Sequence, residues 1–138
     1  MADEKITLVE EAIHNPNEPR HFMVIEKTCA VTATVRGANI GCTDHAFKIK
    51  EVGKKIHNPV IYFPRDTVEE ELLEKSDMTT QCPLKGTATY YHIKVGKHFL
   101  ENAAWSYEDI LEHDERLEQI KDAIAFDPKY THMTEIKG

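Results

Sequence analysis

Short β-type segments recur along most of this 138-residue chain, and they constrain its fold more than any other feature. Residues 31–35 and Phe47–Val52 alternate apolar and polar side chains with a period of two, the pattern of a half-buried strand. Val60–Phe63 is a continuous apolar run, as expected for a strand buried on both faces. A turn signal at residues 36–39 predicts a hairpin. The chain is therefore predicted to be mainly β, with small antiparallel sheets.

A second hairpin is predicted from residues 87–95 and 98–107, which are separated by Gly96 and Lys97. Because side chains alternate across a strand, its second strand is predicted to place four residues on one face. These residues are Phe99, Ala103, Trp105 and Tyr107. Further strands are predicted at residues 22–25, 123–126 and 133–136.

Helix signals are weak and short. Residues 68–75 predict one or two helical turns, and residues 110–121 predict a weakly amphipathic helix with Leu111, Leu117 and Ile120 on its apolar side. Together with the strands, they predict a single small β domain with one or two short helices.

The N-terminal part is expected to be peripheral. Residues 6–9 are interpreted as a short edge strand, followed by a turn-rich stretch with two prolines. We therefore predict that residues 1–28 form an extension that packs on a domain made by residues 29–138.

Charge and composition exclude several classes of partner. The formal net charge of −7 argues against binding to a nucleic-acid backbone, which requires clustered Lys and Arg. No signal peptide and no membrane-spanning apolar run is found, so neither a membrane partner nor secretion is expected. Three cysteines, an odd number without framework spacing, are expected to be reduced thiols. A cytoplasmic location is the expectation.

Residues 80–91 are the most distinctive segment for function. Cys82 is a candidate nucleophile, and a neighbouring cation such as Lys85 favours the reactive thiolate. Lys85 is also a candidate to hold an anion, while Gly86 allows a close approach of the backbone. The alternative is that Cys82 packs as a small hydrophobe, Lys85 points to water and Gly86 closes a turn.

Two other segments add candidate residues. Arg65 is a candidate to clamp an anion, and Asp66 is a candidate acid or base. The competing interpretation is that Asp66 caps the next helical turn and Arg65 pairs with one of its glutamates. Trp105 and Tyr90, on paired strands of the second hairpin, are expected to line a pocket with the Cys82 segment.

A metal site is not predicted. Cys42 and His45 form a Cys-x-x-His half-site that Cys82 with any of His57, His92 or His98 could complete, but no spacing in the sequence requires this. No cofactor is predicted either.

Several of these residues occur together in an ordered set. The set comprises Tyr62-x-Pro64-x-Asp66, Thr80-x-Cys82-Pro83-x-Lys85-Gly86-x-Ala88-x-Tyr90, Ala103-Ala104-Trp105-Ser106-Tyr107 and Ala125-Phe126. Over about residues 29–137, the chain resembles domain-of-unknown-function family 427, which is also filed as a nucleotidyltransferase domain. The resemblance implies a small β-rich fold of the β-tent type.

Three functional hypotheses follow. The first is a small-molecule-binding domain, with or without catalysis, whose pocket near residues 82–86 accepts an anionic ligand through Arg65 and Lys85. The second is a non-enzymatic interaction module or homodimer that uses the aromatic hairpin as its contact surface. The third is a nucleotidyltransferase-like activity, which the family resemblance implies.

Overall fold

A computed structural model describes residues 12–136 of the chain, and these residues are predominantly strand. The strands lie in chain order at β1 (Ile13–Asn15), β2 (Glu18–Lys27), β3 (Ala30–Val35), β4 (Ala38–Thr43), β5 (Phe47–Val52), β6 (Val60–Phe63), β7 (Leu73–Cys82), β8 (Gly86–Val95), β9 (His98–Ile110), β10 (Ile124–Phe126) and β11 (Thr131–Ile136). Helical structure in the same range is limited to 3₁₀ segments at Arg65–Thr67, Glu70–Leu72 and Glu115–Ile120. Among them there is no helix long and apolar enough to cross a bilayer.

The strands form two sheets in which every neighbouring pair within residues 12–136 is antiparallel. The larger sheet has the order β1-β2-β5-β6-β10-β9-β8-β7, and the smaller sheet has the order β11-β3-β4. The predicted fold class, mainly β with antiparallel sheets and short helices, is confirmed.

Apolar clusters cover both faces of the larger sheet. Alternate residues of β6 and β10 enter opposite clusters: Phe63 and Ile124 pack towards the smaller sheet, whereas Tyr62 and Ala125 pack on the other face. Burial on both faces explains why Val60–Phe63 is continuously apolar rather than alternating. This predicted buried strand is confirmed.

Strand predictions made from local sequence patterns are confirmed at several segments. The segments predicted at residues 22–25, 31–35, 87–95 and 98–107 lie in or largely in β2, β3, β8 and β9. The turn between β3 and β4 is built on Arg36 and Gly37, which both have positive φ, as a two-residue hairpin turn requires. The predicted edge strand at residues 6–9 lies outside the described residues.

The helix predicted at residues 68–75 is wrong for its second half. Only Glu70–Leu72 forms a 3₁₀ turn, and from Leu73 onwards the chain is β7, which pairs with β8 at the edge of the larger sheet. Ladder hydrogen bonds to β8 outweigh the modest local helix preference of this acidic stretch. Residues 80–82 are the last residues of β7.

Two further details differ from the sequence pattern. In place of a helix over residues 110–121, β9 continues to Ile110 and a 3₁₀ segment, Glu115–Ile120, buries Leu117 and Ile120.

On β9, Trp105 packs with a different cluster from Ala103, and Phe99 is 51% exposed near the hairpin tip. The ladder between β8 and β9 shifts register near Asn102, whose φ is positive, so simple alternation does not hold along the strand.

The chain before residue 29 contributes directly to the larger sheet. β2 lies between β1 and β5, and Met23 is fully buried. The predicted division of the chain at residue 28 stays a prediction.

The β7–β8 turn, residues 83–85, is held in place by several contacts. Leu84 is fully buried, its carbonyl accepts a hydrogen bond from His113 Nε2 at 3.0 Å, and the Lys85 carbonyl accepts one from the Leu111 amide at 2.9 Å. Gly86 then has φ of 136°, and a Cβ there would meet the Asp109 carbonyl oxygen and lie 2.8 Å from the Ile110 Cα. Only glycine fits this corner without moving β9.

We therefore predict that Gly86→Ala lowers the free energy of unfolding by about 2–4 kcal/mol, because both φ and the β9 backbone oppose a side chain. Gly96→Ala is the matched control: φ is also positive, at 58°, but no atom lies within 4 Å of its Cβ position. It should cost about 1 kcal/mol. Urea unfolding of both variants measures the difference, and equal losses would contradict the proposed clash with β9.

Candidate ligand-binding cleft

A cleft in the described part of the chain is formed by three segments that are distant in sequence. Residues 18–21 come from the start of β2, residues 53–57 come from the loop after β5, and residues 81–83 come from the end of β7. Glu51 of β5 also lines the cleft, whose volume is about 770 Å³. This volume lies within the usual range for small-molecule sites, roughly 300–1,000 Å³.

Cys82 lies where the cleft meets the β7–β8 turn. Its residue pairs with Gly86 across the turn, and its side chain is partly buried. Cys82 also lines a neighbouring cavity of about 470 Å³ with Thr87 and Asp109. The thiol can therefore be approached from solvent while it packs against the cluster on this face of the larger sheet.

Lys85 follows Cys82 by three residues and is only 7% exposed. Its Nζ lies 2.5 Å from Glu51 Oε1 and 5.5 Å from the centre of the Tyr107 ring. Burial disfavours the ammonium, but the nearby Tyr62, Glu51 and Cys82 groups outweigh it and raise the pKa of Lys85. Burial likewise opposes the Glu51 charge, yet the attraction of Lys85 lowers the pKa of Glu51.

The ion pair requires a curled sheet. Three strands separate β5 from β8, so a flat sheet would place these two strands about 19 Å apart. The 2.5 Å contact between Lys85 and Glu51 shows that the sheet bends until its distant strands face each other. The cleft lies where they meet.

A hydrogen-bond chain continues from Glu51 to the β1–β2 turn. Glu51 Oε2 lies 2.7 Å from His21 Nε2, and His21 Nδ1 lies 3.2 Å from Asn15 Nδ2. Because Asn15 Oδ1 accepts from the Asn17 amide at 2.9 Å, its NH₂ group faces the imidazole. This arrangement assigns Nδ1 of His21 as the acceptor and Nε2–H as the donor to Glu51. Both ring nitrogens are therefore engaged.

Several aromatic side chains pack in the apolar cluster that also contains Cys82. Trp105 Nε1 donates to the Tyr62 hydroxyl at 3.1 Å, Tyr90 packs 6.1 Å from Trp105, and Thr80 Oγ1 donates to the Tyr90 hydroxyl at 3.2 Å. Burial raises the pKa of both Tyr62 and Tyr107. Their hydroxyls are thus kept as neutral hydrogen-bond groups.

Arg65 and Asp66 are placed elsewhere. Arg65 contacts Glu108, at 2.5 Å, and Tyr91, both on the opposite face of the larger sheet from Tyr90 and Trp105. It also pairs with Glu70 at 3.1 Å, so the interpretation that Arg65 pairs with a nearby glutamate is confirmed.

The interpretation of Asp66 as a cap is wrong. The next helical turn, Glu70–Leu72, has Glu69 at its N-cap position and no side-chain cap. Asp66 itself lies within the preceding 3₁₀ segment, Arg65–Thr67. Asp66 is exposed, and its carboxylate has no hydrogen bond to any residue from 12 to 136.

The structure places Cys82 at the cleft and Gly86 at the neighbouring cavity, whereas Lys85, Tyr90 and Trp105 line neither. It adds Glu51, His21 and Asn15, which the sequence did not indicate. Glu51 lies on the same face of β5 as Phe47 and Ile49, so a carboxylate interrupts the apolar side of this alternating strand, and His21 lies in a segment interpreted as peripheral. The interruption is a local signal of an unusual carboxylate at residue 51, but only the tertiary structure shows that its partners are Lys85 and His21.

The cysteines do not converge on a metal-ligand set. Cys42 lies in β4 of the smaller sheet, opposite Thr32, and His45 Nδ1 contacts Asp44 at 2.6 Å. Cys82 belongs to the larger sheet. Within the described part of the chain, no group of three or more His, Cys, Asp or Glu side chains is arranged to hold an ion.

Comparison with known proteins identifies one family. The model of a family described as a domain of unknown function (DUF427), and named NTP_transf_9, matches residues 23–137. The predicted resemblance is thereby confirmed. No curated protein matches the chain.

The buried ion pair generates a stability prediction. Glu51→Ala should lower the free energy of unfolding by about 3–5 kcal/mol, because it leaves the Lys85 ammonium buried without its carboxylate. Glu26→Ala, which removes the partner of Lys50 from an exposed pair on the same sheet, should cost about 0–1 kcal/mol. Chemical denaturation compares the two, and a loss for Glu51→Ala no larger than that for Glu26→Ala would show that the ion pair is not stabilising.

The same pair predicts a pH dependence. Folding lowers the pKa of Glu51 from its ordinary value of 4.5, so its contribution is present above pH 4.5 and is lost as pH falls through the lowered pKa. Glu51→Gln should therefore show a shallower decrease of unfolding free energy than the wild type between about pH 6 and about pH 3. Parallel wild-type and Glu51→Gln curves would be the contrary result.

Proposed function

We propose that this chain, which belongs to domain-of-unknown-function family 427 (DUF427), is a small-molecule-binding domain whose cleft accepts an anionic ligand. The ligand would lie between the start of β2, the loop after β5 and the end of β7, with Cys82 at its inner side.

The distribution of charge at the cleft is the observation that carries this proposal. The chain has a net charge of −7, yet Lys54 and Lys55 both line this one cleft. Of its two acidic residues, Glu51 is neutralised by Lys85, which leaves Glu18. A concave surface with excess positive charge concentrates anions, and the low-dielectric walls strengthen the field.

The role proposed for Lys85 differs from the one that its sequence suggested. Because its ammonium already contacts Glu51, we assign the first contact with a ligand anion to Lys54 and Lys55. Lys85 would then not contact the ligand. It would hold Glu51 in place and contribute positive charge behind the Cys82 thiol. Arg65, on the other face of the sheet, is not part of the proposed site.

The other two hypotheses have less support. Phe99 is a single exposed aromatic residue on the hairpin, and isolated apolar residues on a surface are common, so a homodimer stays a prediction. The family name NTP_transf_9 suggests a nucleotide, which is one kind of anion that the cleft could accept. A nucleotide therefore belongs among the probes.

We predict that Lys55→Glu weakens binding of an anionic probe by about tenfold, because it reverses a charge at the rim. Isothermal titration with phosphate, citrate and ATP, the last with and without Mg²⁺, measures the effect, and binding should weaken as salt screens the cleft. Lys97→Glu, in the exposed β8–β9 turn, is the control with the same change in net charge and should leave affinity unchanged. No binding of any probe, or equal losses in both variants, would refute the proposal.

A further inference from the structure

One edge of the larger sheet borders the cleft. Within residues 12–136, β7 is the last strand in the order of this sheet and pairs only with β8, so its other side has no neighbouring strand. Residues 81–83, at the end of β7 and in the turn that follows, line the cleft, whereas no residue of β8 or β9 does. The other walls come from the start of β2 and from residues 51–57. The cleft therefore lies on the free side of β7.

Main-chain groups of β7 face this free side. In an antiparallel ladder, every second residue of an edge strand turns both its amide and its carbonyl away from the partner strand. Residues 79–82 pair one to one with residues 86–89 of β8, so two of these four β7 residues have outward-facing groups. The turn and loop hydrogen bonds of residues 12–136 include none to the main chain of residues 79–82. A ligand in the cleft can therefore pair with the main chain of a strand.

The first part of β7 is protected against edge pairing, whereas its end is not. The register with β8 shifts between residues 75 and 79, and this first part carries three charges, on Glu74, Lys75 and Asp77. Bulges and charged side chains are the devices that prevent another strand from adding to an edge. Residues 79–82 have neither a charge nor a bulge with β8, and they end at Pro83, which has no amide hydrogen. The segment open to a further strand is thus the one beside the cleft.

We propose that the cleft binds short peptides, which add as a strand to residues 79–82 and place their free C-terminal carboxylate at Lys54 and Lys55. Amides and carbonyls of the peptide would pair with the outward-facing groups of β7, the mode by which extended peptides recognise a sheet edge. The inference rests on the proposed function, because the same lysines supply the positive charge. It deepens that function by naming the ligand class: a short extended chain of amides that ends in a carboxylate.

The size and charge of the cleft fit this occupant. Four residues of strand span about 13 Å, at roughly 3.3 Å per residue, so a tetrapeptide matches the open segment. The loop with the two lysines is held by main-chain hydrogen bonds, from the Gly53 amide to the Lys55 carbonyl at 2.9 Å and from the His57 amide to the Glu51 carbonyl at 3.1 Å. A loop held in this way loses little freedom when it binds a carboxylate. A second copy of residues 79–82, which are uncharged, would offer these lysines no carboxylate.

The test uses the peptide acetyl-Val-Thr-Val-Thr and follows amide hydrogen exchange in the full chain by NMR. The free acid, at saturation, should slow the exchange of alternate amides, either Thr79 and Gln81 or Thr80 and Cys82, by at least about tenfold, because they become paired. The same peptide with a C-terminal amide should bind about tenfold more weakly, because it lacks the charge. A free acid methylated on its two central backbone nitrogens should give no protection, because it loses donors and places methyl groups against the strand.

Three results would overturn the proposal. Equal affinities of the acid and the amide would show that the lysines do not bind the carboxylate. Equal protection by the methylated acid would show that the peptide does not add as a strand. Protection of residues 79–82 that increases with protein concentration, without peptide, would assign this edge to a second copy of the chain.

A charge reversal identifies the lysine that binds the carboxylate. Lys55→Glu should weaken binding of the free acid about tenfold and leave binding of the C-terminal amide unchanged, because only the acid has a charge for this residue to meet. Lys97→Glu, in the exposed β8–β9 turn, should change the affinity of neither peptide. Equal losses of the two peptides in Lys55→Glu would contradict the assigned contact.

Citrate separates this inference from the proposed function. Citrate binding that Lys55→Glu weakens, together with no protection of residues 79–82 by the free acid, would refute strand addition and leave anion binding standing. If neither citrate nor any of the peptides binds, both proposals fail. Citrate binding together with protection by the free acid supports both.

Discussion

The contact between the Lys85 ammonium and the Glu51 carboxylate is the interaction on which the cleft depends. It joins β5 to the β7–β8 turn across three intervening strands, so it forms only in a curled sheet. Removing both charges from water is costly, and the close approach and additional hydrogen bonds must offset that cost. The second Glu51 oxygen orients His21, and His21 is tied through Asn15 to the β1–β2 turn. One carboxylate therefore connects all three walls of the cleft.

Apolar clusters cover both faces of the larger sheet, and its polar side chains therefore form two separate sets, one on each face. Tyr90 and Tyr91 are neighbours in sequence, but Tyr90 packs against Trp105 on the cleft side while Tyr91 contacts Arg65 on the other. Lys85 has Glu51 as its partner, and Arg65 has Glu108. Each of these two cations is thus neutralised locally, and the positive charge that the proposed site offers a ligand lies on Lys54 and Lys55 at the rim.

The strands could be predicted because their signals are local. Alternation in Phe47–Val52 and the apolar run of Val60–Phe63 each report which faces of a strand are buried. The helix expected at residues 68–75 failed because residues 73–75 pair with residues 91–93 of β8, and this ladder decides the conformation of β7. Secondary structure can be predicted from a few consecutive residues where the apolar pattern itself reports which faces are buried. The prediction fails where a strand distant in sequence supplies the hydrogen bonds.

The sequence by itself determined a small mainly-β domain, its family and the segment at residues 82–86, since composition, periodicity and an ordered motif are all properties of the chain. Tertiary structure alone decided which residues meet there. It excluded Arg65 by placing it on the far face, and it brought in Glu51 and His21 from strands distant in sequence. The physical reason is the bend of the sheet: pairing and twist accumulate over many strands, and only their sum determines which side chains come within hydrogen-bond distance.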